Sequence, residues 1–244
     1  LLSVLSLYSN AIHCQPLKPL TLYTEDLPPY NMTENGHVTG ISSEIIATAL
    51  NSLQIGFTVR LVSWQRAYHE AQTDPNSCVY STVRTPEREG QFQWIGPIGG
   101  DALGVFVLPD STIQAHSLAD LKGLRTVITP GDYAEAKLRE NGLKIVPSPV
   151  EAGRQLNMMS AGRIDLWVAN RSQAHNEARQ AGIALRELFS YDDFEFYLAC
   201  NRAVPSDLIA RIDAAIKQLA DSGEAARITA KFMSAPRAPG ATGN

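Results

Sequence analysis

The stretch "YSTVRTPEREGQFQWIGPI", Tyr80–Ile98, decides the fold. It closes an apolar strand, "SCVYSTV", sets Arg84 and Arg88 four residues apart just beyond it, and returns to the apolar Trp94-Ile95-Gly96-Pro97. A solvated charge run does not normally separate two such segments. A guanidinium offers a planar fork that fits a carboxylate bidentately. Thr85-Pro86 is expected to start a helix, whose first free amides also favour an anion. Arg84 has an alternative partner in Glu87 or Glu89, a surface ion pair worth under about 1 kcal/mol. Open α/β sheets bind ligands beyond the carboxyl ends of their strands, so this segment asks for strands and helices on either side.

The flanking sequence supplies them. Upstream, "LTLYTED" is a short strand broken by "LPPYN", and Gly36 and Gly40 bracket a turn. "ISSEIIATALNSL" carries Ile41, Ile45, Ile46, Ala49, Leu50 and Leu53 at helical spacing. "FTVRLVS" is a strand and "WQRAYHEAQ" a helix. This β-α-β-α-β order predicts a mostly parallel sheet covered by helices. Downstream, "LGVFVLPDS" is a strand, and a second unit begins. "SLADLKG" is a short helix with Ser117 as its cap, "RTVITPG" a strand, "DYAEAKLREN" a helix closed by Gly142. "LKIVPS", "VEAGRQLNMMSAG", "IDLWVAN" and "SQAHNEARQAG" continue the alternation. "FEFYLACNR" is a last strand, followed by two helices divided by Gly223. The alternation therefore occurs twice. The expected architecture is α/β with two lobes, in which "LGVFVL" leaves the first lobe and "FEFYLACN" returns to it as a two-strand hinge around a cleft that closes. The corresponding boundaries are 18–107 with 197–234 for lobe 1 and 108–196 for lobe 2.

At 244 residues the chain is long enough for one large domain or two modest ones. Burial of roughly three quarters of the unfolded surface is expected at this size, without help from metal or disulfide. The net charge of −4 gives no support for nucleic-acid binding, which needs a basic stripe. The tail 235–244 is rich in Pro, Gly and Ala and is expected to be disordered. Residues 1–11, "LLSVLSLYSNA", are too short and too broken to span a bilayer. Ser9 and Ala11 fit the small positions before a signal-peptidase cut, so the stretch reads as the remainder of a secretory signal, with a mature chain starting near Ile12 outside the cytoplasm. A buried first helix is the other reading. Cys14, Cys78 and Cys200 show no metal-ligand spacing. Cys78 and Cys200 lie in strand-like segments and form the preferred disulfide pair, against the alternative of two small buried side chains.

The order and spacing of "EDLPPYN", "GHVTGISSEII", "TPEREGQFQWIGPI", "LADLKGLRTVITPGDYAEAKL" and "MMSAGRIDLWVAN" resemble the extracellular solute-binding proteins of family 3, the periplasmic amino-acid receptors of ABC transporters. The resemblance implies the two-lobed, type II periplasmic-binding-protein fold. It implies a monomer that takes a small-molecule ligand to a membrane ABC permease, with no cofactor. Arg88 of Thr85-Pro86-Glu87-Arg88 matches the family's carboxylate-gripping arginine. Tyr30 matches the aromatic region that flanks the ligand, and Trp64 is expected at a strand-to-helix junction facing the same cleft. One of Ser81 and Thr82 points inward, and Gly131, Asp132 and Tyr133 offer amides or side chains from the second lobe. Asn170 stands where the family usually carries an Asp for the ligand's ammonium. An amide carries no charge, so Glu25, Asp26, Asp132 or Glu195 replaces it, or the ligand is not an α-amino acid.

A binding protein that closes over a small carboxylate-bearing solute, an amino acid or related organic acid, is therefore the leading reading. The alternatives are a cyclohexadienyl-dehydratase-like enzyme on the same fold and a ligand-sensing accessory domain. No Ser-His-Asp pattern, metal spacing or phosphate-cradling loop is present in the sequence to favour an enzyme.

Overall fold

The computed structural model describes residues 18–147 and 154–234. The expected signal remainder (1–11), Cys14 and the tail 235–244 lie outside them.

Alternation of side chains along the strands builds the first lobe. In β1 (Leu20–Thr24), Leu20 and Leu22 point to one face and Tyr23 to the other. Between β1 and the next helix lies a hairpin of β2 (Met32–Glu34) and β3 (His37–Thr39). Helix α1 (Ile41–Ser52) packs Ile41, Ile45, Ile46, Ala49 and Leu50 against Leu20 and Leu22. Strand β4 (Phe57–Leu61) pairs in parallel with β1. Helix α2 (Trp64–Thr73) covers the opposite face, with Trp64, Ala67 and Ala71 against Tyr23. Strand β5 (Ser77–Val83) lies on the other side of β1, also parallel, and divides Cys78 and Tyr80 from Val79 in the same way. A strand covered on both faces needs an unbroken apolar run, and "CVY" is that run. The single turn α3 (Pro86–Glu89) follows.

Strand β6 (Phe92–Val107) is 16 residues long and leaves this lobe. In the second lobe its Leu103, Val105 and Val107 pack with Leu121 of the 3-10 turn Leu118–Leu121. Strand β7 (Arg125–Val127), helix α4 (Glu135–Glu140) and strand β8 (Lys144–Ile145) come next. Helix α5 (Arg154–Ser160), strand β9 (Leu166–Asn170) and helix α6 (Arg171–Ala181) complete the lobe. Phe106, Trp167 and Ala169 face α5 and α6 through Leu156, Met159 and Ala174, while Leu166 and Val168 face Leu138 of α4. Strand β10 (Arg186–Asn201), also 16 residues, returns to the first lobe. There α7 (Ser206–Asp221) and α8 (Glu224–Ser234), separated by Gly223 at φ +79°, pack Ile212, Ile216 and Ile228 beside α1.

Eight of the ten strands form one mixed sheet in the order β4-β1-β5-β10-β6-β9-β7-β8. Each lobe contributes a parallel trio, and the antiparallel pair β6/β10 runs through both. This is the two-lobed type II fold with a two-strand hinge. Both crossing strands are longer than the sequence segments first read as strands. Leu103–Val107 belong to the core of the second lobe and Phe196 to that of the first. The chain thus changes lobes near Gly99–Asp101 and Phe194–Phe196, which are register partners, and not at 107 and 197. The register shifts between Phe196 and Leu198 and again between Tyr191 and Asp193. Such irregularities bend and twist a ladder, here on both sides of the crossing.

Candidate functional site

The loop between β1 and β2 forms the first-lobe wall. Its position is set by α1, whose leading amides have no partner inside the helix. Ile41 N–H donates to Pro29 O at 2.9 Å and Ser42 N–H to Tyr30 O at 3.0 Å. Gly40 makes that approach possible: at φ +122°, a Cβ there would lie 2.4 Å from Tyr30 O. Buried Asn31 ties the loop down, its amide donating to Glu25 O and its oxygen accepting from Ser81 Oγ. Ser81 itself sits at φ +56°, a conformation that costs a non-glycine residue roughly 1–3 kcal/mol and gathers at functional sites. Glu25, Leu27 and Ser81 thereby line a small cavity between the lobes.

Arg88 reaches that cavity from α3. Its Nη1 donates to Val83 O at 3.2 Å and its Nη2 to Gly131 O of the second lobe at 3.4 Å. The guanidinium carbon lies 5.4 Å from the Trp64 ring centre and 5.1 Å from that of Tyr68, within cation–π range. Trp64 Nε1 donates to the same Gly131 carbonyl at 3.1 Å. Two side chains of lobe 1 therefore converge on one backbone oxygen of lobe 2. Arg88 also borders a groove outside the cavity, formed with Trp64, Tyr68, Glu87 and Gln91. It stands at the mouth and not at the inner end.

The second-lobe wall comes from the turn after β7 and from the end of β9. Gly131 adopts φ +77°. Asp132 Oδ1 accepts from Ala134 N–H at 2.8 Å, an Asx turn that holds the carboxylate against the cavity. Tyr133 follows, its ring 5.8 Å edge-on from Phe194. Asn170 precedes α6 without using its side chain as a cap. The backbone N–H of Ser172 is taken by Asp101 Oδ2 instead, at 3.1 Å. The Asn170 side chain therefore remains directed to the cavity, which it lines with Asp132, Tyr133 and Phe196.

Of the residues singled out in the sequence, Arg88, Trp64, Ser81, Asp132, Tyr133 and Asn170 line this cavity, and Gly131 closes over its mouth. Three do not. Arg84 turns outward, bound through Nε and Nη2 to Glu89 at 2.7 and 2.6 Å and lying over Trp94 and Tyr197. The local carboxylate takes it, as the ion-pair alternative had it. Tyr30 is core: its ring packs 4.8 Å from Phe196 and its hydroxyl donates to Gly100 O at 2.6 Å. Thr82 is fully buried and donates to Val79 O at 3.4 Å, so Ser81 is the inward member of that pair. The helix expected at Thr85-Pro86 is only the four-residue α3. Leu27, Val83 and Phe196 were not read as site residues. Phe196 carried a signal, since "FEFYLACN" alternates and its apolar positions had to face something.

The electrostatics of the cavity are dominated by two carboxylates. Burial pushes the Glu25 carboxyl up to about 8, with Asp132 and then Asp26 adding repulsion. Burial also pushes Asp132 up to about 6, while the Ala134 amide and Arg88 pull it back. Desolvation disfavours the charged form of both carboxylates, Glu25 the more strongly, and a proton or a cation relieves it. Among the described residues no cluster of His, Cys, Asp and Glu is placed to hold a metal ion.

Comparison with known proteins places the chain by sequence and by fold. The model of the bacterial extracellular solute-binding proteins, family 3, matches residues 20–235. A probable amino-acid-binding protein, YxeM of Bacillus subtilis (strain 168), is 22% identical over 213 residues, covering 84% of this chain and 80% of that one. The P235GK mutant of ArgBP from T. maritima superposes with a TM-score of 0.80 at 18% identity, covering 88% of this chain and 95% of the other. A histidine kinase sensor domain with similarity to periplasmic binding proteins gives a TM-score of 0.79 at 19% identity, covering 89% and 96%.

Proposed function

The chain belongs to the bacterial extracellular solute-binding proteins, family 3, and from that premise we propose that it closes over a small carboxylate-bearing solute and delivers it to a membrane ABC permease from the periplasm. Solute binding itself goes with the family. The observation that carries the finer reading is the convergence of Arg88 and Trp64 from one lobe and Asp132 and Asn170 from the other on one cavity. Arg88 uses two donors on backbone carbonyls, and a guanidinium has five. The rest are free to take a carboxylate at the mouth, with Trp64 as its wall. Closure strengthens that contact by removing water. Micromolar affinity needs only about −8 kcal/mol, which one charged anchor with aromatic walls can supply. On this reading the protein holds its ligand without turning it over, as binding proteins of the family do. An export signal ahead of the described residues and a monomeric state belong to the same proposal.

A thermal-shift screen of amino acids, dicarboxylates and polyamines tests it. A ligand at 100 times its dissociation constant adds about 2.7 kcal/mol of stability. Arg88→Ala is expected to weaken binding of the hit by roughly 2–5 kcal/mol. Unchanged affinity by calorimetry would remove Arg88 from the site.

A further inference from the structure

Two carboxylates of the cavity come from opposite lobes. Glu25 follows β1 and Asp132 follows β7. The cation that faces them, Arg88, is held at the mouth between Trp64 and Tyr68, with its Nη groups turned to the Val83 and Gly131 carbonyls. Beside Arg88, the cavity is lined by Glu25, Asp132, Asn170, Tyr133 and Phe196. A cleft lined from opposite lobes by two carboxylates, with aromatic side chains beside them, suits a positive group. The ionisable side chains lining it are two acidic and one basic. A neutral zwitterion would match Arg88 and one carboxylate, and the other would have to keep its proton.

We infer that the solute carries more positive than negative charge: a cationic amino acid, its carboxylate at Arg88 and its cationic groups bridging Glu25 of one lobe to Asp132 of the other. The inference rests on the proposed binding role of this cleft. The bridge gives such a ligand a direct part in closure, because a cation between them lets the two carboxylates face each other across the gap in their ionised form. Without one, protons must serve, and the upward shift of both groups by burial agrees with that. Binding therefore expels protons from the cavity.

Calorimetry decides it, with L-arginine, L-lysine, L-citrulline, L-glutamate and agmatine, each in two buffers of different ionisation enthalpy. Arginine or lysine is expected to bind at least ten-fold more tightly than citrulline, the uncharged analogue of arginine, and to release protons near neutral pH. Glu25→Gln, with a melting curve to establish folding, is expected to shrink the difference between arginine and citrulline. Citrulline binding as well as arginine, or preference for glutamate, would overturn this inference while leaving solute binding intact. Agmatine equal to arginine would leave the cation site standing and remove the carboxylate contact at Arg88. Binding of none of the five would overturn the inference, and the screen above would then decide the wider reading separately.

Discussion

Two arginines four positions apart have opposite fates, and local competition explains it. Arg84 meets Glu89 within its own turn, in a bidentate pair. Arg88 stacks on Trp64 and Tyr68 at the cleft, with Glu87 of its own turn near enough to feel its charge. The sequence offered Glu87 and Glu89 as competitors, so this division was legible as an alternative though not as an outcome. Glu25 was visible only as one of several acids able to stand in for the missing charge at Asn170, because its burial depends on two lobes meeting. That burial has a thermodynamic consequence in the unliganded protein. A free glutamate titrates near 4.5, whereas the Glu25 carboxyl is pushed up to about 8 by burial, then by Asp132 and Asp26. Between these values the folded state holds a proton that the unfolded state has lost, so stability falls as pH rises through the window. Asp132, raised to about 6 by burial against the pull of Arg88 and with Glu135 and Asp192 nearby, adds a fall of the same sign at the acidic end. Melting curves of the ligand-free protein are expected to show the midpoint dropping from about pH 5 to about pH 8, and Glu25→Gln is expected to flatten that drop. A wild-type midpoint independent of pH over this range would show that Glu25 ionises without penalty.

Elements position these side chains through a few backbone contacts. The loop bearing Glu25 and Leu27 is fixed because its Pro29 and Tyr30 carbonyls accept from the first amides of α1, and Gly40 alone permits that approach. A methyl group at Gly40 meets a backbone oxygen at 2.4 Å and a backbone angle of +122°. Neither can relax cheaply, since overpacking of this kind costs about 1–3 kcal/mol and the left-handed angle about 1 kcal/mol more. Gly40→Ala is expected to lower stability by about 2–4 kcal/mol, read from denaturant unfolding. Gly131 differs, because its neighbours belong to the other lobe: a Cβ there would stand 3.3 Å from Gln65 Cγ. Gly131→Ala is expected to weaken ligand binding more than it lowers the stability of the ligand-free protein. Equal losses would mean that the turn matters only to its own lobe. The sequence marked Gly40 as part of a turn and Gly131 as a helix-opening glycine. It gave no sign that the first meets the Tyr30 carbonyl or that the second receives Trp64 and Arg88, because both contacts join segments far apart in the chain.

For the whole molecule, the repeated β-α alternation was enough to read two α/β lobes, since each strand buried on both faces needs its own apolar run and each amphipathic helix its own stripe. The length of the crossings was not legible. "GPIGGDA" in β6 and "SYDDFE" in β10 carry glycine, proline and acids that mark loops by local chemistry, yet they pair across the hinge because each supplies the other's ladder. The same layout gives the disulfide a particular place. Cys78 of β5 and Cys200 of β10 are register partners, both buried, and their bond closes a loop with a sequence separation of 122. That loop contains the whole second lobe and both crossings, while the bond itself lies in the core of the first lobe, beside Leu22, Tyr80 and Leu198. In the chain-entropy account, a loop of this size restricts the unfolded state by about 4–5 kcal/mol, with typical measured effects of about 2–4 kcal/mol. Such a bond persists in an oxidising compartment, consistent with a place outside the cytoplasm. The folded cleft owes it little, because the walls are held by Asn31, Gly40 and the Asx turn at Asp132. Replacing both cysteines by alanine is therefore expected to cost about 2–4 kcal/mol in denaturant unfolding and to leave ligand affinity within about two-fold, a difference below about 0.5 kcal/mol. A large loss of affinity in a variant that still unfolds cooperatively would show that the bond at the foot of β10 also sets how the second lobe meets the first.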